Sequence, residues 1–143
     1  MDVYDSTAVR KIWQRVGLTS EACGADPILP LIRSEWDLAA AVHAVPGPVW
    51  ASVSRQAFRR AAKLRAIHYM QTGQPVPRSC PKPERARMSP QLLRGTIGQL
   101  QRLTQNYHQT AAALPDYQNL LAAFAVETEA AARLLLGYLA DMV

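Results

Sequence analysis

Residues 115–142 read PDYQNLLAAFAVETEAAARLLLGYLADM, and the fold is decided there. Tyr117, Leu120, Leu121, Phe124, Ala131, Leu134, Leu135, Tyr138 and Met142 recur at steps of three and four, which lays one apolar stripe along a helix. Glu127 falls inside that stripe, between Phe124 and Ala131. A carboxylate in an apolar seam is strongly unfavourable unless something neutralises it, so Glu127 implies a partner elsewhere in the chain.

Working back, Leu114-Pro115-Asp116 is a tight turn, and Ser89-Pro90 is a cap-and-first-turn signal for a preceding helix that runs to about Ala113. Leu93, Ile97, Leu100, Thr104, Tyr107 and Ala111 face inward on it, and Gly95 and Gly98 weaken it or mark close helix contact. Before it, Gln74 to Met88 carries Pro75, Pro77, Pro81 and Pro83 and reads as extended, polyproline-like chain. The helix before that spans about Val49 to Gln71 and stops at Thr72-Gly73. Its inner stripe is Val49, Val53, Ala57, Arg60, Leu64 and Ile67, so Arg60 interrupts an apolar series. Pro46-Gly47-Pro48 separates it from a helix begun by Asp26-Pro27 and running to about Val45. Ile28, Leu31 or Ile32, Glu35, Leu38 or Ala39 and Val42 face inward there, which puts Glu35 at a core position. A short first helix to about Val16, with Val9, Ile12, Trp13 and Val16 on one face, is too short to stand alone. It anchors onto the body or onto a second subunit, and Gly17 ends it.

Two domains of organisation follow: 1–25, a short helix and linker, and 26–143, an all-α bundle of four long helices. The short Pro46-Gly47-Pro48 break forces antiparallel neighbours. The Pro-rich linker reaches roughly 45 Å at about 3.1 Å per residue, whereas the preceding helix is only about 36 Å long. It can therefore travel the full length of the bundle, which would start the third helix at the same end as the second. That crossover is the layout of ferritin-like four-helix folds; an up-down-up-down bundle with an idle linker is the competitor.

Composition narrows the class. The chain has 143 residues, half of them hydrophobic and few of them Gly, which suits one helical domain with a real core. No apolar run is long enough to span a bilayer. Met1-Asp2-Val3-Tyr4-Asp5 is acidic and carries no apolar export signal, so a reducing cytoplasm is the expected setting. Cys23 and Cys80 lie in predicted loops without zinc spacing and read as free thiols. The net charge of +5 concentrates in Arg55, Arg59, Arg60, Lys63 and Arg65 on one helix and in Arg78, Lys82, Arg85 and Arg87 on the linker. With no interleaved aromatics and no helix-turn-helix, that reads as a solvated basic face, not a nucleic-acid surface. His43, His68 and His108 share no level, and there is no nucleophile elbow and no Gly-rich phosphate loop. Tyr4, Trp13, Trp36 and Trp50 read as core or interface anchors, and Glu129 points to solvent.

Leu31-Ile32-Arg33-Ser34-Glu35-Trp36, Leu64-Arg65-Ala66-Ile67-His68-Tyr69 with Thr72-Gly73-Gln74-Pro75-Val76-Pro77, and Ala125-Val126-Glu127-Thr128-Glu129 together resemble the small bacterial ferritin-like proteins related to rubrerythrin. The likeness covers about residues 28–140. It implies a di-metal centre held by one Glu from each of two helices and a Glu-x-x-His pair from each of the other two. Carried across, the first Glu is Glu35 and the fourth-helix Glu is Glu127. The second-helix pair falls at Ala57 and Arg60, the third-helix Glu near Leu100 to Arg102, and the last His at Ala130.

Two ligands remain, too few to balance two divalent ions. Arg60 is expected to stand in as the positive charge that bridges Glu35 and Glu127. The alternatives are side chains leaning out to water at the stripe edge, or a reduced iron or manganese site on Glu35 and Glu127. The expected function is a ferritin-like bundle without its metal centre, with no cofactor, serving as a non-catalytic scaffold or binding module. It meets no membrane, and it forms a homodimer if the Trp13 helix mediates pairing; a basic protein that meets nucleic acid through the Arg-rich helix and linker is the weaker third option. The alternative is a metal-binding oxidoreductase or iron-handling protein; whether the chain is an enzyme stays open.

Overall fold

A computed structural model describes residues 26–77 and 87–142. The expected first helix with Trp13, the thiols Cys23 and Cys80 and the middle of the Pro-rich linker lie outside the described residues. Among the described residues the chain is all-α, with four helices and no strand: α1 (Ile28–His43), α2 (Pro48–Thr72), α3 (Pro90–Ala113) and α4 (Gln118–Asp141). No helix among them is long and apolar enough to cross a membrane.

Local chemistry sets each boundary. Asp26 Oδ1 accepts the Ile28 N–H at 2.9 Å, closing the first turn of α1. Helix α1 stops at His43, two residues earlier than the periodicity suggests, because Val45 precedes Pro46 and that position disfavours helical backbone. Gly47 then takes φ 122°, a region that a Cβ would strain, and Pro48 opens α2. At the other end Gly73 adopts φ 73° and donates to the Tyr69 carbonyl at 2.8 Å. Ser89 Oγ accepts the Leu92 N–H at 3.1 Å, a side-chain cap for α3. Ser89→Ala should lower stability by about 0.5–2 kcal/mol, seen as a lower urea midpoint with unchanged slope. An unchanged midpoint would reject a stabilising role for the cap. The last helix is not continuous from Pro115: Pro115–Tyr117 forms a 3-10 turn that leads into α4.

Helices α1 and α2 pack as one antiparallel pair and α3 and α4 as another, with α1 lying on α3. Met88 and Leu93, at the start of α3, share a small pocket with Pro46 to Trp50 and with Tyr138. The starts of α2 and α3 are therefore side by side, and these two helices run in the same direction. Ile28, Leu31, Ile32, Leu64, Leu93, Leu100, Leu121 and Phe124 fill the centre, and the rings of Tyr107 and Phe124 meet edge to face at 5.5 Å. Trp36 and Trp50 are buried in the same core.

The buried side of α4 is Leu121, Phe124, Ala125, Thr128, Ala132 and Leu135. This corrects the stripe read from the sequence, because Leu134, Tyr138 and Met142 are exposed and Glu127 lies at the seam's edge. With Leu at 134, 135 and 136, hydrophobicity cannot choose the register, and one residue shifts a helical face by about 100°. Thr128 hides the true seam: its hydroxyl bonds the Phe124 and Ala125 carbonyls, both at 3.1 Å, and meets Thr104 of α3 at 2.7 Å.

Candidate functional site

The structure brings Glu35, Arg60 and Glu127 together at the middle of the bundle. Arg60 is 1% exposed, and its guanidinium forks onto Glu35, with Nε 2.6 Å from Oε2 and Nη2 3.0 Å from Oε1. Its Nη1 donates to Glu127 Oε1 at 3.2 Å. The planar fork of arginine matches a carboxylate edge, so this geometry gives two parallel charge-assisted bonds that lysine cannot reproduce.

Two further residues complete the cluster. Tyr107 of α3 donates its hydroxyl to Glu35 Oε2. Arg59 Nη2 lies 2.9 Å from both oxygens of Glu127. The cluster thus joins all four helices, and two carboxylates balance two guanidiniums. Glu35 is completely buried, whereas the Glu127 side chain keeps 30% of its surface in solvent. Glu127 is therefore an outer member and not the core acid that the α4 pattern suggests.

Burial, the largest influence, pushes the Glu35 carboxyl above its ordinary range, against the hydrogen bonds and charge of Arg60. Burial alone would lower the Arg60 value, but hydrogen bonding and charge from Glu35 hold the guanidinium above its ordinary range. The Tyr107 hydroxyl is raised, by burial first and then by the Glu35 charge, and so stays protonated and available as a donor.

The arrangement does not suit a di-metal centre. Glu35 already accepts three donors, and a fixed cation stands between it and Glu127. Ala57 and Leu100 are buried without a ligating atom, and Ala130, one turn beyond Glu127, carries no ligating atom either. Among the described residues no three His, Cys, Asp or Glu side chains gather at metal-binding distance.

Sequence reasoning overlooked Tyr107 and Arg59. Tyr107 was legible as an inward residue, but its level relative to Glu35 depends on how far α3 slides along α1. Arg59 read as part of a basic face. That face also differs from expectation: Phe58 and Tyr69 stand exposed on the same helix as Arg55 and Lys63, so aromatics do interleave with the basic residues. The histidines sit apart. His43 is exposed beside Ser54 and Phe58, His108 is exposed on α3, and His68 is buried against Asp26. Glu129 is exposed and pairs with Arg133 one turn on.

Comparison with family profiles, with curated proteins and with solved structures finds no match to this chain.

Proposed function

We propose that this chain is a ferritin-like, rubrerythrin-related bundle in which Arg60 has taken the place of a metal centre, and that it works as a non-catalytic scaffold or binding module. The observation that carries the reading is the Arg60 guanidinium seated between Glu35 and Glu127. The side-by-side starts of α2 and α3 support the crossover layout, since Gly73 and Met88 then lie at opposite ends of α2. A permanent cation supplied by a side chain satisfies the two acids without redox capability, and arginine holds no exchangeable coordination position.

Metal analysis tests this. Protein purified from medium supplemented with iron and manganese should contain well under one metal ion per chain. Close to about two ions per chain, as in di-metal bundles, together with an oxo-bridge absorption band, would overturn the reading in favour of a metal-binding oxidoreductase or iron-handling protein.

A further inference from the structure

A second constellation lies away from the Arg60 cluster, where the C-terminal end of α2 meets the start of α1. His68 Nδ1 is 2.6 Å from Asp26 Oδ2, while Asp26 Oδ1 is held by the Ile28 N–H at 2.9 Å. A carboxylate bonded in this way accepts only, so the Nδ1 proton points to Asp26 and Nε2 is the ring nitrogen left for a ligand.

His68 lines a cleft of about 610 Å³ with Leu29, Ile32, Trp36 and Val76, and with Arg33 and Asp37 as its charged residues. That volume is in the range of small-molecule sites, which join apolar walls to a few placed polar groups. The third wall is built by local sequence chemistry. Thr72 Oγ1 donates to the His68 carbonyl at 2.8 Å and accepts the Gln74 N–H at 3.1 Å. Gly73 then turns the chain back across α2, and Arg65 Nη2 reaches the Val76 carbonyl at 3.4 Å. Pro75 and Pro77 line this wall and each restricts its own φ, which lowers the ordering cost of binding there.

We propose that this cleft binds a small planar aromatic acid bearing a hydroxyl group, a hydroxybenzoate-like molecule. The ring lies between the Trp36 side and the Pro75–Pro77 wall. The hydroxyl, able to donate and to accept, meets His68 Nε2 in either protonation state of the imidazole. The carboxylate meets Arg33, which is exposed and makes no ion pair among the described residues. This rests on the binding-module reading and gives it a ligand class. Metal analysis tests that reading and ligand titration tests this one, so either can fail alone.

The test is calorimetric titration of the full chain with 4-hydroxybenzoate, benzoate and phenol. 4-Hydroxybenzoate should saturate one site per chain, with benzoate and phenol each weaker by about tenfold, the scale of one lost polar contact. Arg33→Ala should weaken 4-hydroxybenzoate by about the same factor and leave phenol unchanged. Because Arg33 is exposed, this variant keeps its fold, so the test stands even if His68→Asn does not fold. No saturable binding at millimolar ligand, equal affinity for all three probes, or indifference to Arg33→Ala would each overturn the proposal.

Discussion

Arg60→Ala is expected to destabilise this protein by about 3–5 kcal/mol, the scale for removing one partner of a buried ion pair. The loss comes less from the missing bonds than from what stays behind. Glu35 is completely buried and would keep only the Tyr107 hydroxyl, so its carboxylate would be ionised without a counter-charge or would have to take up a proton. For a chain of this size, that corresponds to a melting temperature lower by roughly 10–20 °C. Arg133→Ala removes an exposed guanidinium one turn from Glu129 and should change stability by no more than about 0.5 kcal/mol. Glu127→Ala should fall nearer that surface case, at about 1 kcal/mol or less, since solvent screens a partly exposed acid. Thermal and urea unfolding of the three variants give the order directly. Equal melting temperatures for Arg60→Ala and Arg133→Ala would remove Arg60 from the centre of the fold's energetics.

The second large effect concerns Glu35, and here the sign can be reversed. Glu35→Leu alone leaves the Arg60 guanidinium buried with one long contact to Glu127, and should destabilise by about 3–5 kcal/mol. Adding Arg60→Met and Tyr107→Phe removes every polar group that Glu35 engaged, while Glu127 keeps Arg59 at 2.9 Å. The triple variant should regain most of the loss and can exceed the parent by about 1–4 kcal/mol, because well-packed apolar side chains escape the desolvation of two charges. Denaturant unfolding of the single and triple variants decides it. If the triple stays as unstable as Glu35→Leu, the cluster is needed for packing and not merely for charge balance.

Both expectations bear on the proposed loss of the metal centre. An arginine that is structurally indispensable only while Glu35 remains behaves as a counter-ion. The measurements above ask whether the bundle depends on the pair or only on keeping it complete.

The sequence by itself determined the four described helices and most of their ends. Thr72-Gly73, Ser89-Pro90 and Pro46-Gly47-Pro48 act through backbone geometry within a few residues, so they read the same with or without neighbours. It also placed Glu35 and Arg60 inward, since each interrupts an apolar series on a helix with one clear stripe. Only tertiary structure decided the register of α4, where three consecutive leucines satisfy any rotation until Phe124 meets Tyr107 and Thr128 meets Thr104. It alone turned Glu127 toward the rim, lifted the Tyr107 hydroxyl to the level of Glu35 and set His68 against Asp26. The reason is physical: periodicity fixes an angle around one helix axis, whereas these contacts depend on how far each helix slides along its neighbour, which the whole packed core sets at once.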